Sequence, residues 1–309
     1  MLAIVILNFN NSKDTIECLK SLKSLRNRNF NIFLGDNSTN IEEYEKVLEF
    51  IESDYELKNI TRLYRINDNR GFGAGNNFLL KKIDLNIYSK ILLLNNDTII
   101  SNFNIIDVLE KKKCEINDER YIIGCKLLNE DLSYQESRGD YPKLSNEVKY
   151  YLKKVGVINK EKYDYLSGAF LLFSSKLIEE VGYFDERYFL YFEETDLIFR
   201  AKSIGYKTYY VPEIDIIHKG GKSTGKLNQF TVEEYYKSMN IFCSKNLEYT
   251  WEKWIIYLFR NVISLIGIIS MSPFLLSNKK YISAKNKIEW CKITIKKSHL
   301  LLKDVIYSE

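Results

Sequence analysis

The stretch KILLLNNDT, residues 90 to 98, is an apolar run that stops at two amides and a carboxylate, Asn95, Asn96 and Asp97. Oxygen-bearing side chains in such a place suit a hard divalent cation, Mg2+ or Mn2+. Such an ion takes one carboxylate from the protein and its other ligands from a diphosphate and water. Asp97 is the anion of the triplet and therefore the expected direct ligand. A polar turn closing a buried strand would use the same residue types, so the triplet by itself leaves both readings open.

Three further stretches carry possible chemistry. YFDERYFLYFEETDLIFRAKSIGY, starting at Tyr183, sets Asp185, Glu186, Glu193, Glu194 and Asp196 among aromatic residues. Carboxylates held against an apolar wall have raised pKa values and suit a general base. Glu193 and Asp196 are spaced to share a helix face, although acids in a first helical turn also answer to the macrodipole alone. His218 lies between EIDII and KGGKS. A neutral imidazole there could complete a metal site while Lys219 and Lys222 face phosphate, and a structural histidine at a strand end is the plainer alternative. Finally, NRGFGAGNN places Gly71, Gly73 and Gly75 after a third strand, with GxGxG spacing, unlike the dinucleotide fingerprint that follows a first strand. Glycines there would let the backbone approach a ligand, and Asn76 and Asn77 at a helix start could hold a pyrophosphate or a sugar.

The elements that must position these residues alternate. LAIVILNF is a continuous apolar run typical of a parallel strand covered on both faces. Ile16, Leu19 and Leu22 then recur at helical spacing behind Ser12 and Asp14, either of which can cap the helix. NIFLGDN reads as a second strand, residues 42 to 53 as a helix, ITRLYRI as a third strand, 74 to 83 as a helix and KILLLNND as a fourth strand. This β-α-β-α-β-α-β order predicts an α/β fold with a doubly wound, mostly parallel sheet, whose ligands bind beyond the carboxyl ends of the strands. Asn8, Asn10, Asp36, the glycine-rich turn and the Asn95–Asp97 triplet all fall at those ends. YIIGCKLL and YLSGAFLLFSS read as further strands, KLIEEVG and EETDLIFRAKSIG as helices, and YKTYYVPEIDIIHKGG as a strand leading into a glycine-rich loop. Residues 132 to 162 read as a loop with one helix at most.

A chain of 309 residues with 45% apolar content can bury a sizeable core and is not disordered. Its five cysteines are scattered, odd in number and without CxxC spacing, which suggests neither a disulfide framework nor a thiolate metal site and fits a reducing compartment. The first ten residues lack a basic flank and a cleavage site, so a cytoplasmic catalytic part is expected. Of 45 basic and 41 acidic residues, those from 251 onward hold ten and four, leaving 35 against 37 before them. The basic excess belongs to the tail. There, the clean apolar stretch from Val262 to Leu276 is shorter than a bilayer span, and Pro273 is expected to bend it. An interfacial or re-entrant helix, an ordinary core helix and a dimer interface are all open. Tyr281, Ala284, Ile288, Cys291 and Ile295 then follow in three- and four-residue steps among lysines, as in an amphipathic helix on an anionic membrane surface.

VILNFNN, GDNSTN, NRGFGAGNN, LLLNNDT, the long stretch from SGAFLLFSS to YKTYYVP, and IIHKGGKS resemble, in order and spacing, the family-two glycosyltransferases, in particular their rhamnosyltransferase-like branch. The likeness covers roughly residues 1 to 225. It implies a glycosyltransferase A catalytic domain over 1–225, and the composition of the tail suggests a helical, membrane-surface region over 226–309. It also implies a nucleotide-diphosphate sugar donor (dTDP-rhamnose or a UDP-sugar), a divalent metal and inversion at the anomeric carbon. By the same resemblance Asp36 contacts the nucleobase, the backbone near Asn8 and Asn10 forms the pocket wall, and Asn95 faces the ribose. Asp97 and His218 would bind the metal, Glu194 would be the catalytic base, and Glu193 and Asp196 would orient donor or acceptor. Asn95 stands where the DxD pattern has its first Asp, and Glu194 where Asp is frequent.

A glycan or lipid-linked glycan is the expected acceptor, in cell-surface polysaccharide synthesis, with its recognition placed in residues 130 to 165. The enzyme is expected to be peripheral on the inner face of the cell membrane, to need no nucleic acid and to be compatible with a homodimer. Two other readings stay open. A sugar-phosphate nucleotidylyltransferase shares the architecture, although LNFNNSKDT lacks the glycine-rich loop that such enzymes carry after strand one. A catalytically weak nucleotide-sugar-binding homologue that scaffolds polysaccharide assembly is the other, suggested by Asn95.

Overall fold

The computed structural model describes residues 1–154, 163–220, 229–247, 251–276 and 281–303. The chain divides into two compact units: 1–139 with 163–189 and 193–223, and 140–162 with 190–192 and 224–309.

In the first unit, strand β1 (Leu2–Asn8) is followed by α1 (Ser12–Lys23), β2 (Phe30–Asp36), α2 (Ile41–Glu52), α3 (Tyr55–Ile60), β3 (Thr61–Arg65), α4 (Phe72–Leu80) and β4 (Lys90–Leu94). The chain continues through β5 (Thr98–Ile99), α5 (Ile105–Ile116), β6 (Tyr121–Leu128), β7 (Tyr134–Gln135) and β8 (Arg138–Gly139). After α6 (Leu144–Lys154), which belongs to the second unit, come β9 (Tyr165–Leu166), β10 (Phe170–Ser174), α7 (Lys176–Val181), α8 (Glu193–Ser203) and β11 (Lys207–His218). The main sheet runs β3-β2-β1-β4-β10-β6-β11-β5, with β7 added beside β6. Strands β1 to β4 are parallel, as expected, whereas β10 is antiparallel to both β4 and β6, and β5 is antiparallel to β11.

Alternation across a strand explains the unbroken apolar run of β1. Leu2, Ile4 and Ile6 pack with Cys18, Leu19 and Leu22 of α1 on one face. Ala3 and Val5 pack with Leu79 and Leu80 of α4, Leu177 of α7 and Leu197 and Ile198 of α8 on the other. Two differences from the sequence reading have local causes. α3 forms as a separate helix because Asp54 caps it, accepting from the backbone N–H groups of Glu56 and Leu57. YLSGAFLLFSS is not one strand: it breaks between Leu166 and Phe170, at Gly168.

The second unit is helical: α6, α9 (Gln229–Asn246), α10 (Trp251–Met271) and α11 (Tyr281–Lys297), with short 3-10 turns at Ser272–Leu276 and Ser298–Leu302. Pro273 does not bend α10; it lies in the turn that ends it, where a missing N–H costs nothing. Arg260 and Asn261 break the apolar run in sequence but lie within the continuous helix. Both point inward, Arg260 forming a two-pronged pair with Glu147 and accompanied by the Tyr235 hydroxyl, Asn261 donating to Ser298. Lys253 reaches Asn240 and Ser244, and Ser264 is buried. The outer face of α10 carries Trp254, Leu258, Val262, Leu265, Ile266 and Ile269, each more than half exposed. Among the described residues, Trp251–Phe274 is the one helical stretch long and apolar enough to cross a membrane, and 11% of its most apolar window is buried. The helix is thus polar inside and apolar outside. The amphipathic segment after it behaves in the opposite way: Ala284, Ile288 and Cys291 of α11 are buried within this unit, so its apolar face is not the one left free.

Candidate active site

The strand ends gather most of the residues singled out by chemistry, and strand register does the positioning. His218, the last residue of β11, pairs with Thr98 of β5, and the Lys219 N–H donates to the Asp97 carbonyl at 3.0 Å. Asp97 is therefore brought beside His218 although 121 positions separate them. The His218 Nε2 lies 3.3 Å from Asp97 Oδ1 and 3.3 Å from Asn95 Nδ2. The buried Asn95 Oδ1 has no hydrogen-bond partner among the described residues.

The three consecutive polar residues after β4 have three different tasks. Asn95 and Asp97 face His218, while Asn96 turns inward and donates to Asn8 Oδ1 at 3.1 Å and to Thr15 Oγ1 at 2.9 Å. Asn8, fully buried, donates to Asp36 Oδ2 at 2.6 Å and accepts from the Thr15 hydroxyl at 2.8 Å. Asp36 also accepts from the Ser38 backbone N–H and hydroxyl and is paired with Arg65, its neighbour in the β2–β3 register. Both Asp36 oxygens thus already have protein partners. Asn10, with φ of 50°, ties the loop after β1 to Thr39 at 3.0 Å.

A chain of contacts links this end to α8. The Asn95 N–H donates to the Ala169 carbonyl at 3.1 Å, and the adjacent Gly168 lies against the Glu194 side chain, where a Cβ would come within 3.4 Å of it. The break between β9 and β10 therefore exists where Glu194 is seated. Burial pushes the Glu194 carboxyl up, and the backbone N–H groups of Gly168 and Thr195 pull it back. Glu193 is 4% exposed, its Oε2 has no partner among the described residues, and burial, with the Glu194 charge second, pushes it well above the ordinary carboxylate range. Burial thus favours the proton-bearing form of both neighbours. The two residues before α8, Tyr191 and Phe192, both have φ of 68°. Left-handed aromatic residues cost on the order of 1–3 kcal/mol each and cluster where a functional group must be aimed.

Other expected site residues are held elsewhere. Asn76 and Asn77 are each 2% exposed. Asn76 donates back to the Phe72 carbonyl, and Asn77 accepts from the Phe184 N–H at 2.9 Å and donates to the Phe184 carbonyl and Glu186, bracing the segment before α8 rather than facing a ligand. Asp196 is fully buried between the Tyr188 hydroxyl and Arg200. The Lys219 ammonium sits between Asp14 and Glu17 of α1 and is not turned to a phosphate. Lys222 lies outside the described residues. Gly71 serves packing: its φ is +98° and a Cβ there would fall 2.1 Å from the Phe189 carbonyl oxygen.

The donor chemistry of Asn95, Asp97 and His218 fits a divalent cation. An imidazole nitrogen and a carboxylate oxygen converge, an amide oxygen nearby is orphaned, and the open ligand positions suit phosphate oxygens and water. No group of three or more His, Cys, Asp or Glu forms a closed metal cage among the described residues. Sequence inspection overlooked Thr15, Arg65, Gln135 and Gly168. Arg65 was the most accessible of these, since a cation at the end of a strand parallel to the one ending in Asp36 is a readable pair.

No family model matches the chain. It is 36% identical over 87 residues to the N-acetylglucosaminyl-diphospho-decaprenol L-rhamnosyltransferase of Mycobacterium tuberculosis, a match covering 28% of each chain. To the dTDP-rhamnosyl transferase RfbF of Shigella flexneri it is 23% identical over 297 residues, covering 93% of this chain and 90% of the relative. The chain thus spans well under a third of the mycobacterial relative and nearly the whole of the Shigella one. Among solved structures, the mannosyltransferase PcManGT from Pyrobaculum calidifontis, in complex with GDP-Man and Mn2+, superposes with a TM-score of 0.60 at 10% identity, over 97% of this chain and 84% of the other. Residues 1–349 of S. aureus TarS in complex with UDP-GlcNAc give 0.54 at 17% identity, over 96% and 91%. With the strand order, these likenesses identify the fold as glycosyltransferase A, and the sequence relatives to which the chain is similar are rhamnosyltransferases.

Proposed function

We propose that this protein is an inverting glycosyltransferase that moves a sugar from a nucleotide-diphosphate donor, dTDP-rhamnose or a UDP-sugar, to a hydroxyl of a glycan or lipid-linked glycan. The observation that carries this reading is the meeting of Asp97 with His218 at the same sheet end that seats Glu194. The relatives' own activity, transfer of rhamnosyl groups, supports it.

The ionised Glu194 takes the proton from the acceptor hydroxyl as that oxygen attacks the anomeric carbon opposite the leaving diphosphate. Its raised proton affinity makes it the stronger base, and the Gly168 and Thr195 N–H groups keep it aimed. Glu193, neutral and adjacent, avoids a second charge at the reacting centre. A divalent cation held by Asp97 and His218, Mg2+ or Mn2+, would neutralise charge on the departing diphosphate. Asn8, Asp36, Ser38 and Arg65 fix the wall against which the nucleoside lies.

The second unit supplies the location. The outer face of α10 rests on an anionic membrane surface, with the exposed Lys285, Lys287, Lys292 and Lys296 of α11 adding attraction to acidic headgroups. This keeps the enzyme cytoplasmic and peripheral. A panel of nucleotide sugars with a lipid-linked acceptor tests the activity: acceptor-dependent release of nucleoside diphosphate is expected, and binding without release would instead favour the scaffolding homologue. For the location, Leu258→Glu with Leu265→Glu should abolish pelleting with phosphatidylglycerol vesicles, and undiminished pelleting would refute it.

A further inference from the structure

Gln135 falls outside every motif above, in the stretch assigned to acceptor recognition. It lies on β7, paired with Leu127 of β6, and from there reaches the last residue of β11. Its amide orientation is set by two acceptors: Nε2 donates to Asn129 Oδ1 at 3.0 Å and to the His218 carbonyl at 3.3 Å. Asn129 is itself oriented, because its Nδ2 donates to the Ser133 hydroxyl at 2.9 Å. With both Gln135 donors placed, its Oε1 is what remains for the His218 ring, 2.6 Å from Nδ1. An amide oxygen can only accept. Nδ1 must therefore carry a hydrogen, and of the two neutral tautomers this contact selects the one whose Nε2 is unprotonated.

That nitrogen points at the Asn95 amide and the Asp97 carboxylate. A lone pair on nitrogen and a carboxylate oxygen 3.3 Å apart repel unless something positive lies between them. Gly220 protects the arrangement from the far side: its φ is +57°, and a Cβ there would crowd the Gln135 Nε2 at 3.1 Å.

The geometry points to Gln135 as a positioning residue that locks His218 in the Nδ1–H tautomer, so that Nε2 is offered to a divalent cation shared with Asp97. This inference rests on the metal-binding reading given above. The outer partner of a ligating histidine fixes ring tautomer and direction, and its loss typically lowers metal affinity roughly 10–100-fold.

The full chain has two histidines, which makes nitrogen NMR of their rings readable, with His299→Ala assigning the signals. Wild type should show His218 protonated at Nδ1. Gln135→Leu should shift it toward the Nε2–H form and weaken Mn2+ binding, followed by electron paramagnetic resonance with UDP present, about 10–100-fold. Gln135→Glu, which keeps an acceptor at the same reach, should restore both. If Gln135→Leu folds poorly, Gln135→Asn makes the same test with an amide one methylene short. An unchanged tautomer or unchanged Mn2+ affinity in the folded variant overturns the proposal. Asp97→Ala and His218→Ala separate the levels: if they lose Mn2+ and Gln135→Leu does not, the positioning role alone falls, and if neither loses it, the metal reading falls and takes the proposal with it.

Discussion

On the β1-β2-β3 side of the strand ends, Asn8, Thr15, Asp36, Ser38, Arg65 and Asn96 form a buried network in which each side chain answers another. On the other side, Asn95 Oδ1 and Glu193 Oε2 lack hydrogen-bond partners among the described residues, and two bases, Asp97 and His218, face each other. Buried polar groups are normally satisfied, so the first side is closed on itself, whereas the second keeps the polar atoms that the proposed cation and donor would use. The same residue types occur on both sides, even within one triplet. Asn96 belongs to the closed side while its two neighbours do not.

That contrast can be broken in several ways. The largest effect is expected at Glu194: Glu194→Gln should lower transfer by about 10²–10⁴-fold while donor binding by calorimetry stays intact, and near-normal transfer would remove it from the unpaired side's chemistry. Arg65→Ala leaves the buried Asp36 charge without its partner and should cost about 3 kcal/mol in urea unfolding. A loss under 1 kcal/mol would mean that Asp36 does not hold the wall. Asn96→Ala should cost about 1–2 kcal/mol with unchanged Mn2+ affinity, whereas Asn95→Ala should alter stability by no more than about 0.5 kcal/mol and change Mn2+ affinity. If the two asparagines behave alike, the division is mistaken.

The smallest effect is one of pH. Glu193 binds its proton more tightly folded than unfolded, so the native state holds more protons above the ordinary glutamate value of 4.5. Stability from this group is complete below that value and is lost as pH rises toward the raised one. Glu193→Gln should therefore gain stability relative to wild type as pH rises from about 4.5, read as the difference in melting temperature. A difference that does not vary with pH would place Glu193 in a more polar setting.

Much of this arrangement is legible in the sequence. The apolar runs of β1 and β4 and the strand-end rule lead to Asp97, whereas Glu194 is one of five acids among aromatic residues and is singled out only by the family resemblance. What could not be read was direction. Asn95, Asn96 and Asp97 look alike in sequence, and which of them turns inward depends on where Asn8 and Thr15 arrive. Gln135 is an unremarkable amide until the register of β7 brings it to His218. In the tail, periodicity located the apolar face of α11 correctly but not what covers it. For α10, Arg260 looks out of place in an apolar stretch until its partner, Glu147, 113 residues away, is known.

Gly71 shows how narrow the tolerance at one joint can be. The atom that an added Cβ would strike there is main-chain oxygen of Phe189, which no smaller neighbouring side chain can move aside. Size is consequently the wrong measure of a replacement, and handedness the right one: every other residue a ribosome can insert is an L-amino acid, at a backbone angle suited to its mirror image.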